Sequence, residues 1–336
     1  MNEPNPVIIF ETLNAFQRTG ALKAAIELKV FTVLGAGPLP ATAIATATGT
    51  SERGMRILCD FLTVIGFLEK SVDGYSLTPT AAVFLDQKSA NYMGSVAGFV
   101  AAEAIMDTYR DVAGAVRKGG TLLANGGSTN VDFELWVEFA KSMAPMMKPA
   151  AHFIADLVAE KHDAGPLRVL DIAAGHGLFG ITIAERMPDA EIVAQDFERV
   201  LEVANENAKL AGVHDRYTLL PGDAMAVEFG ENYDFILLTN FLHHFGTDTC
   251  ITLLKKVRAA LKPGGFAVTL DFIPNEDRVT PAVSATFALT MLMSTDQGDA
   301  YTFAEYEQMF AAAGFRNNRQ IDVPNSPSRL VLSCKA

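Results

Sequence analysis

The sequence has 336 residues, of which 49% are hydrophobic and 20% charged, a composition that excludes a disordered or collagen-like chain and supplies ample material for a core. This length predicts two domains rather than one. Acidic residues outnumber basic ones by 39 to 27, and the net charge of −12 disfavours a nucleic-acid or anionic-membrane partner, because both are approached through a positive potential.

The first ninety residues show the order of elements found in a winged helix. Apolar residues at helical spacing predict helices that end before Gly35, a short helix over residues 41–48, and a further helix capped by Ser51. The dipeptide Asp73-Gly74 lies between two short apolar segments and predicts a tight β-hairpin, which would form the wing.

Many winged helices bind DNA, but the charges of this one disfavour that function. Seven basic residues stand against eight acidic ones through residue 90, and the presumed recognition helix offers only Arg53 and Arg56. Phosphate contacts dominate affinity for DNA, and this segment can make few of them. A winged-helix regulator that senses a small molecule remains an alternative.

Residues 92–161 have a helical pattern that is interrupted by a glycine-rich loop over residues 119–128. The helix predicted after this loop runs from Phe133 through Trp136 and Met143 to Met147. A stripe of aromatic and methionine residues is more typical of a core than of a ligand cage, but Trp136 and Met143 stay candidate substrate contacts.

From Leu167 onward, short apolar strands alternate with helices, and the last two strands form a hairpin around a Pro-Asn-Ser-Pro turn. This alternation predicts an α/β fold with a mostly parallel, doubly wound sheet, whose ligands bind at the carboxyl ends of the strands. The predicted strands cover residues 167–172, 190–195, 216–220, 233–239, 265–273, 316–323 and 329–334.

A glycine-rich loop connects the first of these strands to the helix that follows it. Asp171 lies in the strand, and Gly175, Gly177 and Gly180 follow with GxGxxG spacing. Glycines at such positions let the backbone approach a ligand where a Cβ would block it. The spacing suits NAD and other adenosine cofactors equally, so this loop alone does not identify the ligand.

Acidic residues end the next two strands. Asp196 lies about twenty residues further along, where a carboxylate can accept hydrogen bonds from both hydroxyls of a ribose. Asp223, in the segment Gly222-Asp223-Ala224-Met225, is placed to accept a hydrogen bond from an adenine amino group. Each of them alone is also a common turn former or helix cap, but three such elements at consecutive strand ends favour a nucleoside site.

Two adjacent histidines follow the fourth strand, which ends at Thr239. An imidazole of His243 or His244 can take the proton of a hydroxyl as that hydroxyl attacks, since its ordinary pKa is about 6.5. Asp271 on the fifth strand can hold such a ring in the useful tautomer. The sequence does not decide which histidine is the base, and a structural role of the pair stays open.

With these motifs the chain resembles the class I S-adenosylmethionine-dependent O-methyltransferases of small molecules, the group that contains the caffeic-acid and acetylserotonin enzymes. The resemblance covers almost the whole chain. It implies a Rossmann-like, seven-stranded, mostly parallel methyltransferase sheet with a C-terminal antiparallel hairpin, preceded by a mainly α winged-helix domain. That domain, residues 1–100, would pair subunits into a homodimer, residues 101–162 would be linking helices at the substrate pocket, and residues 163–336 would bind the cofactor.

The resemblance also assigns roles to individual residues. The glycine motif matches Asp171–Gly177, although Ala173 and Ala174 stand where two more glycines are usual, and the ribose-binding acid matches Asp196. The remaining cofactor contacts are then Gly175, Gly177, Asp223, Ala224, Met225 and Thr239.

The family's catalytic His-Asp-Trp motif matches His243-His244-Phe245, so the resemblance gives the base role to His243. An orienting glutamate is matched by Asp271, which is one methylene shorter. A second orienting glutamate falls at Ala300, and the neighbouring Asp299 is not a match. The family's substrate-packing methionine corresponds to Met143, and Trp136 and His244 are the other candidate substrate contacts.

The implied reaction is methyl transfer from S-adenosylmethionine, which becomes S-adenosylhomocysteine, to a hydroxyl of a small aromatic molecule. His243 would remove the hydroxyl proton during attack, Asp271 would stabilise the imidazolium, and no metal is expected. The departures from the motif leave alternatives open: methylation of carbon or nitrogen, or a cofactor-assisted reaction without methyl transfer. The acceptor itself is not readable from the sequence.

Cysteine usage and the N-terminal sequence predict a cytoplasmic protein. Cys59, Cys250 and Cys334 are odd in number and far apart, so neither a disulfide framework nor a CxxC metal site is expected. The first residues lack the basic and apolar regions of a signal peptide, and the longest apolar stretches are too short to span a bilayer.

Overall fold

The computed structural model describes residues 4–130, 133, 135–162 and 165–335. The chain forms two compact units, Met1–Glu103 and Ala104–Ala336, which are described separately. The predicted boundary after residue 162 falls at residues 163 and 164, which lie outside the described residues. Within the described part of the chain, no helix is both long enough and apolar enough to cross a membrane.

The N-terminal unit contains the predicted helices and the predicted hairpin. Ser51 accepts a hydrogen bond from the Gly54 N–H at 3.1 Å and caps the fifth helix, and Ser71 pairs with Gly74 across the tight turn. Both features confirm the sequence predictions. The elements are α1 (Val7–Leu13), α2 (Ala15–Glu27), α3 (Val30–Leu34), α4 (Ala41–Thr48), α5 (Glu52–Val64), β1 (Leu68–Ser71), β2 (Gly74–Leu77), α6 (Pro79–Phe84) and α7 (Ala97–Val100).

The charges on α5 are paired within this unit. Asp60 accepts hydrogen bonds from Arg56 at 2.9 Å, from Lys70 at 2.5 Å and from the Tyr75 hydroxyl at 2.7 Å. The bonds from Lys70 and Tyr75 lower the pKa of Asp60 to about 2. Pairing with Asp60 leaves less free positive charge on the helix that a winged helix would place against DNA.

The second unit begins with helices that precede its sheet: α8 (Glu103–Thr108), α9 (Val112–Lys118), α10 (Leu135–Ser142) and α11 (Ala144–Lys161). The single helix predicted from Phe133 to Met147 is wrong, because the structure breaks it at Met143. Pro145 causes the break, since it has no N–H to donate to the carbonyl of Lys141, and its ring is tolerated only in the first turn of a helix.

A seven-stranded sheet forms the centre of this unit, with strand order β5-β4-β3-β6-β7-β9-β8. The first five strands in this order are parallel, and the C-terminal hairpin β8–β9 pairs antiparallel to β7, as predicted. The strands are β3 (Leu167–Ile172), β4 (Ala190–Asp196), β5 (Tyr217–Pro221), β6 (Tyr233–Thr239), β7 (Leu261–Asp271), β8 (Arg316–Asp322) and β9 (Arg329–Cys334). Strand β7 begins four residues earlier than predicted.

Helices cover the sheet, and side chains alternate between two apolar clusters. In β3, Val169 belongs to one cluster and Leu170 to the other, as expected for a strand that is buried on both faces. Thr302 and Glu305 form a capping box at the start of the last helix. The helices are α12 (Leu178–Arg186), α13 (Glu198–Leu210), α14 (Thr247–Ala260), α15 (Ala282–Ser294) and α16 (Phe303–Ala312).

The strand order reverses at β3, which pairs with β4 on one side and with β6 on the other. The carboxyl ends of β3, β4, β5, β6 and β7 therefore lie along one edge of the sheet. A crevice at such a reversal is the usual ligand position in a doubly wound sheet. All five strand ends carry candidate residues.

Candidate active site

The glycine loop between β3 and α12 has backbone conformations that favour glycine. Gly175 has a φ of +57° and Gly177 a φ of +75°. A Cβ at Gly177 would lie 2.6 Å from the Tyr217 hydroxyl, and one at Gly180 would lie 2.7 Å from Ile192, so these two glycines permit close packing. A Cβ at Gly175 would meet nothing nearer than Phe139 at 3.7 Å, which leaves its backbone open to a ligand.

Asp196 is brought against this loop. Its carboxylate accepts hydrogen bonds from the Gly175 N–H at 2.8 Å and from the Phe197 N–H at 2.7 Å. Burial raises the pKa of Asp196 to about 6, and the two N–H bonds oppose that rise. The half-buried carboxylate still has lone pairs for further donors such as the hydroxyls of a ribose.

Asp171 lies beneath the loop rather than at its surface. It is fully buried and accepts a hydrogen bond from the Gly180 N–H at 3.1 Å, while its other carboxylate oxygen has no partner among the described residues. Burial raises the pKa of Asp171 to about 7, and the charge of Asp196 adds to the rise. The residue therefore supports the first turn of α12.

Gln195 ties the glycine loop to the loop after β5. This buried side chain accepts a hydrogen bond from the Ala173 N–H at 3.4 Å and donates one to the Gly222 carbonyl at 2.6 Å. The sequence reasoning missed this residue. An amide next to Asp196, after the apolar run of residues 192–194, was the available signal, since buried amides need partners.

The segment after β5 is organised by a turn. Asp223 is exposed and accepts a hydrogen bond from the Met225 N–H at 2.8 Å, which is the turn-forming role that the sequence left open. Ala224 is buried, and Lys256 donates to its carbonyl at 3.0 Å. Lys256 also donates to the carbonyls of Met225 and Val227 and so fixes the segment.

Further along the same edge of the sheet, at the ends of β6 and β7, His243 and Asp271 form a close buried pair. His243 Nδ1 lies 2.6 Å from Asp271 Oδ1, and the two residues are 3% and 1% exposed. Asp271 also accepts hydrogen bonds from the Phe272 N–H and from the Tyr306 hydroxyl, each at 2.8 Å. An ionised carboxylate only accepts, so Asp271 favours a proton on His243 Nδ1, and in the neutral ring Nε2 is then an acceptor.

His244 lies against the free nitrogen of His243. The two Nε2 atoms are 3.1 Å apart, and His244 Nδ1 lies 3.2 Å from the Ser128 hydroxyl. Trp136 donates to the Ser128 carbonyl at 3.0 Å and meets the ring of His244 edge-on at 5.2 Å. Burial lowers the pKa of His244 well below its usual range, and a positive charge on His243 would lower it further, so the ring of His244 is neutral.

The remaining predicted residues lie around these groups. Thr239 is buried at the end of β6, and Met143 is buried just before α11. The sulfur that contacts the end of β6 is that of Met147, which accepts a hydrogen bond from Asn240 at 3.5 Å. The side-chain amide oxygen of Asn240 is buried without a partner among the described residues, a feature that the sequence reasoning did not assign.

The segment with Ala300 and Asp299 supports the backbone of His243, not its ring. Asp299 donates its N–H to the His243 carbonyl at 3.0 Å and accepts a hydrogen bond from Arg278 at 3.4 Å. The hydroxyl of Tyr306 supplies the further polar contact on Asp271. Sequence reasoning missed Tyr306 and Ser128, because a lone tyrosine or serine carries no motif.

This edge of the sheet can combine two kinds of chemistry. The glycine loop, Gln195 and Asp196 form a cradle suited to a nucleoside, and the His243–Asp271 pair is suited to accept a proton. Within the described residues, no three His, Cys, Asp or Glu side chains converge as metal ligands would.

Comparison with protein-family models gives two matches. Residues 109–316 match an O-methyltransferase domain, and residues 10–87 match an O-methyltransferase dimerisation domain.

Comparisons with individual proteins agree with these matches. The tetracenomycin polyketide synthesis 8-O-methyl transferase of Streptomyces glaucescens is 26% identical over 334 residues, which are 98% of this chain and 97% of that protein. The 3-hydroxy-5-methyl-1-naphthoate 3-O-methyltransferase of Streptomyces sahachiroi is 25% identical over 316 residues, 94% of this chain and 91% of that protein. A crystal structure from Nostoc punctiforme, of a protein whose assignment as an O-methyltransferase is provisional, has a TM-score of 0.96 at 47% identity and covers 99% of this chain and 100% of that one.

Proposed function

The chain belongs to the S-adenosylmethionine-dependent O-methyltransferase family, and we propose that it methylates a hydroxyl of a small aromatic molecule with His243 as general base. The observation that carries this proposal is the buried 2.6 Å contact between His243 and Asp271 at the sheet edge that also holds the glycine loop. A base beside a cofactor cradle is what transfer to a weakly acidic hydroxyl requires.

The residues around the glycine loop fit S-adenosylmethionine. Gly175 has an open backbone, and Asp196 has lone pairs free for two ribose hydroxyls. The side-chain amide oxygen of Asn240, which has no partner among the described residues, can accept a hydrogen bond from an amino group of the ligand. The bound cofactor supplies a methyl group on a positively charged sulfur, which leaves as a neutral thioether. Asp223, Ala224, Met225 and Thr239 complete the proposed binding residues.

His243 provides the base because its proton is held on the nitrogen that faces Asp271. A phenol has a pKa near 10, like tyrosine, and is mostly protonated at neutral pH, so its oxygen becomes a strong nucleophile only as the proton leaves. Asp271 stabilises the imidazolium that forms. Phe272 and Tyr306 donate hydrogen bonds to Asp271 and fix the position of its carboxylate beside His243.

Aromatic side chains near the histidines support an aromatic acceptor. Phe287 meets the ring of His243 edge-on at 4.8 Å, and Phe272 stacks on Phe287 at 4.2 Å. Trp136 on α10 also packs edge-on against the ring of His244. The relative from Streptomyces sahachiroi acts, by its name, on a hydroxyl of a naphthoate. We therefore assign residues 101–162 to the acceptor pocket and expect fused aromatic hydroxyls to fit it.

The N-terminal unit is assigned to homodimer formation. The dimerisation-domain match covers residues 10–87, and α1 and α2 expose large apolar side chains, among them Phe10, Leu13 and Phe16 at 62%, 67% and 64%. Exposed apolar surface of this kind usually marks an interface. The free cysteines Cys59, Cys250 and Cys334 fit a reducing, cytoplasmic compartment.

The test is a labelled-methyl transfer assay against a panel of phenols, enols, aromatic acids and hydroxynaphthoates. We expect native protein to label a hydroxyl, and His243→Ala to lose roughly 100-fold or more of the rate while binding S-adenosylhomocysteine normally. His214→Ala, at a surface histidine, is the matched control and should transfer methyl at the native rate. Native turnover by His243→Ala would refute the base assignment, and a methylated carbon would refute the hydroxyl acceptor.

A further inference from the structure

When both histidines are neutral, the hydrogen bonds around them have one consistent direction. Asp271 accepts from His243 Nδ1, so in the neutral ring His243 Nε2 has a lone pair and no proton. His244 Nε2, 3.1 Å away, must then be the donor, and His244 Nδ1 must be the acceptor that faces the Ser128 hydroxyl at 3.2 Å. These hydrogen bonds therefore form one chain, which runs from Ser128 through His244 and His243 to Asp271.

We infer that His244 takes the proton of the acceptor hydroxyl on Nδ1 and passes its own Nε2 proton to His243, so that the two imidazoles form a proton relay. This inference rests on the proposed function and names a second catalytic residue for it. Ser128 occupies the position from which the acceptor hydroxyl would donate.

Access to the two rings supports this order. His243 is 3% exposed, its Nε2 lies against His244, and its ring faces Phe287 at 4.8 Å. The ring of His244 covers His243 Nε2, whereas rotation of one side-chain torsion moves the Ser128 hydroxyl away from His244 Nδ1 and frees that nitrogen for the acceptor. His244 is the more exposed of the two rings, and its Nδ1 is the nitrogen at the outer end of this chain of hydrogen bonds.

The protons and electrons of the step balance. The acceptor O–H bond breaks and an N–H bond forms at His244 Nδ1, while the His244 Nε2–H bond breaks and an N–H bond forms at His243 Nε2. The oxygen keeps the electron pair of its O–H bond for the bond to the methyl carbon. His244 ends neutral in its other tautomer, and the positive charge rests on His243 beside Asp271.

The structure holds His244 in position from two sides. Ser128 is 5% exposed, and its N–H donates to the Ser294 carbonyl at 2.8 Å, which anchors the loop before α10. Trp136 donates to the Ser128 carbonyl and packs edge-on against His244. The low pKa of His244 keeps the ring neutral, as a relay requires between turnovers.

The first test needs no substrate. Long-range proton–nitrogen correlation spectra of histidine-labelled protein distinguish Nδ1–H from Nε2–H, with His243→Gln and His244→Gln variants used for assignment. We expect His243 protonated on Nδ1, His244 protonated on Nε2, and a scalar coupling across the N–H···N bond. A His244 ring protonated on Nδ1 would overturn the relay.

The second test compares 2-naphthol, which is neutral at the assay pH, with a dinitronaphthol that is already ionised. His244→Gln keeps a donor for His243 Nε2 but cannot pass a proton, and His244→Phe keeps the ring edge for Trp136 without nitrogens. We expect both variants to methylate 2-naphthol about 100-fold more slowly and the ionised naphthol at nearly the native rate.

Failure of the relay and failure of the proposed function give different results. If His243→Gln is inactive on 2-naphthol while His244→Phe is fully active, His243 is the direct base and the relay is wrong. If His243→Gln is also fully active, the base assignment itself is wrong. If neither naphthol is methylated, the tautomer measurement decides alone.

Discussion

Tyr306 donates its hydroxyl hydrogen to Asp271 at 2.8 Å, on the carboxylate oxygen that does not face His243. Burial, together with the charge of Asp271, raises the pKa of Tyr306 well above its usual range, so the hydroxyl remains a donor at any working pH. The resemblance implies a second acidic residue near the base at Ala300, and in this chain the hydroxyl of Tyr306 supplies a further polar contact on Asp271.

Replacing Tyr306 by Phe should therefore change the pH dependence of the reaction. Without the tyrosine bond, Asp271 carries more uncompensated charge and holds a proton more firmly on His243, so the acidic limb of the pH–rate profile should move to higher pH. The free energy of unfolding should fall by about 1–3 kcal/mol, because a buried hydrogen bond to a charged group is lost. Urea unfolding and a pH series of methyl transfer measure the two effects.

Tyr301→Phe is the matched control for this variant. Tyr301 donates to the Phe245 carbonyl at 2.6 Å and packs edge-on against Tyr306, but it makes no bond to Asp271. We expect Tyr301→Phe to lower the free energy of unfolding by a similar amount, while the acidic limb of its pH–rate profile stays where it is in native protein. Equal movement of the limb in both variants would show that Tyr306 acts only through packing.

Gln195 gives a second prediction, on cofactor binding. Gln195→Leu keeps the side-chain volume but leaves the Ala173 N–H and the Gly222 carbonyl without their partner. The loops after β3 and β5 then lose their shared anchor, and S-adenosylhomocysteine should bind about tenfold more weakly, which corresponds to about 1.4 kcal/mol. Calorimetric titration measures the affinity. Glu191→Ala, at an exposed position of the same strand, should bind normally, and normal binding by Gln195→Leu would show that the anchor is dispensable.

The parts of the site that could be predicted from the sequence are those set by local pattern. Gly175 and Gly177 come shortly after one strand and Asp196 ends the next, and the order of strands and helices brings these strand ends to one edge of a sheet. The Asp73-Gly74 hairpin and the capping box at Thr302 are equally local.

The parts that could not be predicted depend on contacts between distant residues and on side-chain rotation. Ser128 meets His244 across 116 residues of sequence, and Tyr306 meets Asp271 across 35. The turn of His244 toward His243 is a choice of rotamer, which no periodicity records. The break near Pro145 was also not predicted from the sequence pattern, because the apolar stripe continues through the position at which the helix breaks.

Asp196 gives a pH prediction for cofactor binding. Burial raises the pKa of Asp196 to about 6 in the ligand-free protein. Ribose hydroxyls donate to the ionised form and lower this pKa, so binding should release a proton, and affinity should rise as the pH increases from 5 to 7, that is, through the ligand-free pKa of about 6.

Calorimetry in buffers of different ionisation enthalpy measures the released proton. Asp196→Asn should bind S-adenosylhomocysteine more weakly and with a flatter pH dependence, because the amide does not titrate. Asp171→Asn is the control, since Asp171 lies beneath the loop and also titrates in this range, at about 7. The affinity of Asp171→Asn should still rise with pH, because that rise comes from the titration of Asp196. A pH-independent affinity in native protein would contradict the assignment of Asp196 to the ribose.

The exposed apolar side chains of α1 and α2 give a prediction for assembly. Phe10 and Phe16 are 62% and 64% exposed, and both fall within the dimerisation-domain match. Two glutamates at these positions would bury charge in a pairing surface without disturbing a core, so Phe10→Glu/Phe16→Glu should convert a dimer to a monomer that still unfolds cooperatively. Light scattering after size exclusion measures the mass. Val72→Glu, at a fully exposed position in the hairpin turn of the same unit, should stay dimeric. A double variant that stays dimeric would place the interface elsewhere.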